Sequence, residues 1–174
     1  MGILICGLNG AGKSTLGRAL ADRLGYSLID AEDLYFPKTD HGYAYACPRA
    51  KEEAARLLNE RTAADDSFVF AAVKGEFGPA FLDRLTLAVL VETPRPIRLQ
   101  RVHDRSALRF GEWVAPGGDL YDRENAFFRA VSARPEDEVE NWLARRLSCP
   151  VLRVDGTRPP EENAAYIASF LGIF

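Results

Sequence analysis

ILICGLNGAGKSTLGRAL, Ile3 to Leu20, carries three signals in order: an apolar run of strand length, a glycine-rich turn and an amphipathic helical pattern. The turn, Gly7 to Ser14, matches GxxxxGK[ST], the phosphate-loop pattern. At average composition a chance match in a chain this long has a probability on the order of 1%, before the strand and helix context is required. Gly7, Gly10 and Gly12 let backbone N–H groups curl around an anion, and a helix starting near Lys13 adds the positive end of its dipole. The bland alternative is a glycine-rich turn with Lys13 solvated.

Working outward, apolar runs of strand length alternate with stretches of helical period, which argues for a parallel sheet covered by helices. The strands expected are Gly2 to Cys6, Tyr26 to Ile29, Phe68 to Val73, Thr86 to Val91 and Val151 to Val154. Leu16, Ala19, Leu20 and Leu24 share one helical face, and Gly25 sits where that helix would stop. Further helices are predicted from about Ala50 to Thr62, from Pro96 to about Phe110, and over Leu120 to Ala133 and Pro135 to Leu147. A last one follows Thr157, with Pro159 and Pro160 in its first turn. Tyr35 to Pro48 and Trp113 to Asp119 read as irregular segments. No internal repeat or heptad pattern is present.

Composition sets the outer bounds. The 174 residues are 47% apolar and 27% charged, which suits one globular domain spanning 1–174. A net charge of -3 lacks the basic excess of a nucleic-acid or anionic-membrane binder, so neither partner is expected. Phe68 to Val73 and Leu85 to Val91 are far shorter than the roughly 20 residues of a membrane span. Cys6, Cys47 and Cys149 are odd in number and far apart, so reduced thiols in the cytoplasm are expected. MGILIC does not read as a signal peptide. His41 and His103 lack partners at metal spacing and are expected to face solvent. Trp113, Trp142, Phe127 and Phe128 are expected in core or lid packing.

Among phosphate-loop proteins, the chain lacks the late guanine-reading element of switch GTPases, its nearest string being PKTD at Pro37 to Asp40. It lacks the ABC signature helix, and LAVLVE, ending at Glu92, has no Asp where AAA motors carry one. It resembles the nucleoside monophosphate kinase and shikimate kinase group of small phosphate-loop kinases, on four matches: the phosphate loop; DAED after the second strand; RVHDR, Arg101 to Arg105; and CPVLRVDGTRPPEEN, Cys149 to Asn163. PKTD, CPR at Cys47 to Arg49, VKG at Val73 to Gly75, RFG at Arg109 to Gly111 and PGGDLY further resemble a bacterial branch labelled as AAA-family ATPases or shikimate-kinase-like proteins.

The resemblance implies an α/β three-layer domain with a five-stranded parallel sheet in the order 2-3-1-4-5. It implies ATP and Mg²⁺ as cofactors, phosphoryl transfer to a small anionic or hydroxylated acceptor, an acceptor-binding insertion over 33–62 and a helical lid over 98–134. By it, Gly7, Leu8, Asn9, Gly10, Ala11, Gly12, Lys13, Ser14 and Thr15 bind the nucleotide phosphates, with Lys13 at the β- and γ-phosphates and Ser14 on Mg²⁺. Asp30 resembles the carboxylate that holds Mg²⁺ through water, and Glu32 the group facing the acceptor; the bland alternative for DAED is an acidic helix N-cap region on the surface. Arg101 resembles the arginine that stacks on the base and Arg105 the one on the phosphates, while Asp155, Gly156 and Thr157 resemble the loop beside the base. Arg98, Arg101, Arg105 and Arg109 are spaced to lie on one side of a helix, where like charges repel unless an anion joins them.

After the third strand the chain departs from the group and offers Lys74, Gly75 and Glu76. Lys74 stands at the carboxyl end of a strand, where parallel sheets bind ligands; it and Arg49 are candidate cations for the acceptor, with Asp30, Glu32 and Asp33 as carboxylates. The alternatives are an ATPase module that regulates a partner and a domain that binds nucleotide without turnover. Oligomeric state is not legible.

Overall fold

The computed structural model describes residues 1–36 and 47–173. PKTD, His41 and the 37–46 portion of the expected insertion lie outside the described residues. The strands are β1 (Gly2–Cys6), β2 (Ser27–Asp30), β3 (Phe68–Ala71), β4 (Leu85–Glu92) and β5 (Val151–Asp155). The helices are α1 (Lys13–Leu24), α2 (Ala31–Tyr35), α3 (Lys51–Ala64), α4 (Pro79–Leu82), α5 (Arg95–Phe110), α6 (Tyr121–Ser132), α7 (Glu138–Arg146) and α8 (Pro160–Phe170), with a 3-10 turn over Gly111–Val114. The strands form one parallel sheet in the order β2-β3-β1-β4-β5, as the resemblance implied.

Strand periodicity splits the core into two layers. Ile3 and Ile5 of β1, Val69 of β3 and Leu87, Val89 and Val91 of β4 pack on Leu16 and Leu20 of α1 and Ala164 and Ile167 of α8. The alternate residues, Leu4, Cys6, Phe68, Phe70, Ala88 and Leu90, face Ala54 and Leu58 of α3 and Trp142 and Leu143 of α7. Phe70 meets Phe77 and Phe81 edge-on at 5.3 and 5.1 Å, a cluster whose truncation at Phe70 would cost about 3–5 kcal/mol. Central β1, paired on both sides and buried throughout, delivers Gly7 to the carboxyl end of the sheet.

Several boundaries differ from the sequence reading for local reasons. β3 ends at Ala71, because from Ala72 the chain turns toward the phosphate loop, where Gly7 N–H donates to the Val73 carbonyl at 3.4 Å. The segment between β3 and β4 holds α4, opened by Pro79 and anchored by fully buried Phe81. DAED forms the acidic N-cap region of α2, as its bland alternative has it: the Asp30 side chain accepts from Glu32 N–H at 2.9 Å. Pro135 precedes α7 by three residues instead of opening it.

Candidate active site

The phosphate loop turns from β1 into α1 through Gly10 at φ +79° and Gly12 at φ +101°, backbone angles that favour glycine. Among the described residues, the amides of Asn9, Gly10, Gly12, Lys13 and Ser14 donate to no protein acceptor, while the carbonyls of Leu8 through Gly12 each receive a donor. Unused donors gathered at a helix N-terminus make an anion cradle. Lys13 Nζ donates to the Leu8 carbonyl at 3.1 Å, and enclosure lowers its pKa to about 8, opposed by nearby Asp30. The Ser14 side chain is exposed at the start of α1.

On one flank of the loop a shallow pocket of about 180 Å³ is lined by Ala11, Gly12, Thr15, Arg101, Gly156, Arg158 and others. Gly156 fits there only without a side chain: a Cβ would come 2.1 Å from Thr93 Oγ1 and 2.5 Å from the Ala11 carbonyl. Its carbonyl accepts from Arg101 Nη1 at 3.0 Å, and the turn is closed by Asp155 Oδ1, which accepts from Thr157 N–H and Oγ1 at 2.8 and 2.6 Å. Those bonds, Oγ1 first, hold the Asp155 carboxyl below its usual pKa. The residues read as bordering a base, Arg101 and Asp155 to Thr157, are therefore gathered beside Gly12.

On the other flank lies a cleft of about 580 Å³ whose lining includes Lys13, Ser14, Asp30, Glu32, Lys74 and Arg105. Glu32 bridges to α5, pairing with Arg109 at 2.9 Å and Arg105 at 3.8 Å. Lys74 is held by Glu138 at 2.9 Å and Glu76 at 3.4 Å, and the Glu138 bond chiefly keeps its pKa raised. Ser14 and Asp30 supply hard oxygen donors on one wall, a set that suits Mg²⁺, which takes few protein ligands and keeps water and phosphate oxygens. Among the described residues no cluster of three or more His, Cys, Asp or Glu side chains forms a further metal site.

Two expected acceptor residues lie outside that lining. Arg49 serves α2 instead: Nη1 donates to the Leu34 and Asp33 carbonyls at 2.8 and 3.2 Å, and Nε pairs with Glu53 at 3.4 Å. Asp33 sits on α2 and is not among the residues that line the cleft. Arg98 also departs from the other arginines of α5. It shares the buried stripe of Val102 and Ser106, is 4% exposed, and belongs to the interior. Missed by sequence reading were the aromatic walls of the cleft, Tyr35, Phe36, Phe77 and Phe127, together with Lys51 and Arg134. His103 is exposed as expected and stacks on Phe128 at 3.9 Å; Trp142 is core, whereas Trp113 is 58% exposed.

A parallel 2-3-1-4-5 sheet with a phosphate loop after its central strand defines a phosphate-loop protein of the small-kinase architecture. The chain belongs to the AAA-domain family, whose sequence model matches residues 3–109. It is 27% identical over 177 residues to "Uncharacterized protein YqaC" of Bacillus subtilis (strain 168), covering 97% of this chain and 96% of that one. Among solved structures it is similar in fold to an unliganded sugar kinase from Janibacter sp. HTCC2649 (TM-score 0.55, 17% identity, 99% and 94% of the two chains). The shikimate kinase of Aquifex aeolicus matches at a TM-score of 0.55 with 19% identity, over 99% and 96%. A gluconokinase from Sinorhizobium meliloti 1021 matches at 0.52 with 18% identity, over 98% and 95%.

Proposed function

We propose that the protein transfers the γ-phosphoryl group of Mg²⁺-bound ATP to a small anionic or hydroxylated acceptor. The observation that carries this reading is the placement of the phosphate loop between a shallow pocket and a 580 Å³ cleft. A nucleotide laid across Gly12 and Lys13 has its base beside Arg101 and its terminal phosphate facing a space large enough for a second substrate. A module that only hydrolyses ATP needs no such space.

Little covalent chemistry is asked of the protein. Lys13 and Arg105 would neutralise charge on the transferring group, and Arg101 with Asp155, Gly156 and Thr157 would hold the base. Mg²⁺, on Ser14 and through Asp30, would supply further charge neutralisation when bound. The acceptor hydroxyl oxygen bonds to the γ-phosphorus as the bond to the ADP oxygen breaks, and its proton passes to Glu32 once that carboxylate leaves the lid arginines. Tyr35, Phe36, Phe77 and Phe127 suit a ring or apolar body, whereas Lys51, Lys74 and Arg134 suit an anionic substituent. Residues 98–134 form the lid in this reading. No helix among the described residues is long and apolar enough to cross a membrane, and all three cysteines are free, which fits a reducing compartment.

The test is ADP release and thermal stabilisation across phosphorylated sugars, nucleotides and hydroxy acids with Mg²⁺ and ATP. A ligand at 100 times its dissociation constant should stabilise the protein by about 2.7 kcal/mol. Acceptor-dependent ADP release supports the kinase. Basal hydrolysis that only a protein partner accelerates replaces it with the regulatory ATPase.

A further inference from the structure

The back of the phosphate loop is tied down by three side chains from one short stretch at the end of β4 and the start of α5. Arg98 Nη1 donates to the Asn9 carbonyl at 3.3 Å, Arg101 Nη1 to the Gly10 carbonyl at 3.5 Å, and Thr93 Oγ1 to the Ala11 carbonyl at 3.0 Å. In a trans peptide the C=O of one residue and the N–H of the next point in opposite directions. Drawing the Asn9 carbonyl outward therefore turns Gly10 N–H inward, and drawing out the Ala11 carbonyl does the same for Gly12 N–H. Both amides belong to the set left without a protein acceptor.

Arg98 is central to this arrangement. Its Nε is spent on the Thr93 carbonyl at 3.1 Å, and its backbone carbonyl lies where a Cβ on Gly10 would approach within 2.2 Å. Nη2 reaches both oxygens of Glu136 at 2.7 and 2.8 Å, on the linker between α6 and α7. A guanidinium this buried is costly unless paired, and its geometry satisfies a loop carbonyl and a carboxylate at once. Arg95, at 3.8 Å from the same carboxylate, donates to the Ser132 carbonyl at the end of α6.

We propose that Arg98 is a positioning residue for phosphate binding: it aims the amides of the phosphate loop, and Glu136 locks its guanidinium and so couples loop geometry to the α6–α7 side of the lid. This rests on the phosphate-binding reading above. The test uses the full chain, the unmodified protein beside Glu136→Gln and Arg98→Lys, titrated calorimetrically with inorganic tripolyphosphate and with an unreactive ATP analogue, both with Mg²⁺, well below the melting temperature. Glu136→Gln replaces the carboxylate on the buried guanidinium by a neutral amide, so the melting temperature should fall modestly while the protein stays folded at the titration temperature and affinity for both probes falls about fivefold. Arg98→Lys keeps the charge but cannot reach both partners, and affinity should fall about tenfold. Exchange of Ala11 N–H, which donates to the Leu8 carbonyl at 3.1 Å, should quicken in Glu136→Gln while β1 and α1 stay protected, a change that a purely structural clamp would not confine to the loop. Unchanged affinity in both variants overturns the proposal, as does a loss explained by a lower folded fraction. Failure of the unmodified protein to bind tripolyphosphate overturns the phosphate-binding reading itself.

Discussion

The two flanks of the phosphate loop are held by different kinds of bond. Behind it, buried Thr93 and Arg98 donate to the Ala11, Thr93 and Asn9 carbonyls, and Gly156 is packed too closely to carry a side chain. In front of it, Glu32 with Arg105 and Arg109, and Lys74 with Glu138 and Glu76, are ion pairs between side chains about a quarter to a half exposed. Exposed pairs contribute about 0–1 kcal/mol and rearrange readily, whereas an unsatisfied buried group costs about 1–3 kcal/mol. Packing thus makes the rear of the loop rigid and leaves the ion pairs at the cleft exchangeable, an arrangement that suits the proposed closure over a second substrate.

The largest effect is expected at the seam between them. Lys13→Ala should reduce turnover by about 10²–10³-fold, because it removes a charge aimed at the transferring phosphoryl group. Its fold should survive, since the native lysine is itself held at a desolvation cost. ADP release and calorimetry check this; a variant that binds and turns over normally would remove the distinction between flanks.

Next comes the rigid flank. Gly156→Ala places a Cβ against the Thr93 hydroxyl and the Ala11 carbonyl, and backbone cannot yield as a flexible side chain can. A stability loss of about 1–3 kcal/mol is expected by chemical denaturation, with weaker nucleotide binding. The same substitution at Gly25 tests the contrast: open space surrounds it, so only its positive φ of +66° is disturbed, and nucleotide affinity should hold.

The rigid flank was the more legible in sequence. The motif, the strand before it and the DGT turn are local patterns, and a parallel sheet follows from the alternation of strand and helix, while its strand order is what the resemblance implies. What escaped depends on partners distant in sequence. Arg98 shares the spacing of its neighbours but is claimed by Glu136, and Arg49 looks like a free cation until the α2 carbonyls appear beside it. Lys74 is legible as a cation at the carboxyl end of a strand, but its pairing with Glu138, sixty-four residues on, is not. Phe77 and Phe127 line one cleft from segments fifty residues apart, and no window of sequence shows that.

A smaller effect should follow pH. In the free protein Lys13 titrates near 8 because burial disfavours its charge, and bound phosphates would restore the charged form. Nucleotide affinity should be level below pH 8 and fall about tenfold per unit above it, with proton uptake on binding in that range. For folding the sign is opposite. The folded pKa lies below the unfolded value, so the penalty is full below pH 8 and is relieved between pH 8 and the model-peptide value of 10.5. Calorimetry in buffers of different ionisation enthalpy measures the uptake; none above pH 8 would mean Lys13 does not meet the phosphates.

The smallest effect separates the flanks most sharply, because it should have the opposite sign from that of Glu136→Gln. Glu32 pairs with Arg109 at 2.9 Å and with Arg105 at 3.8 Å, so phosphates reaching Arg105 would compete with it. Glu32→Gln keeps the shape of the side chain and removes that competition. Stability should change by less than about 1 kcal/mol, since the pairs are partly solvated. Tripolyphosphate affinity should rise by about two- to fivefold, the same energy released to the ligand. Acceptor-dependent transfer should fall, because the group placed to take the hydroxyl proton is gone. Tighter phosphate binding with slower transfer would show that one carboxylate serves both the resting lid and the acceptor; weaker phosphate binding would place Glu32 among the rigid supports of the loop and erase the contrast between its two sides.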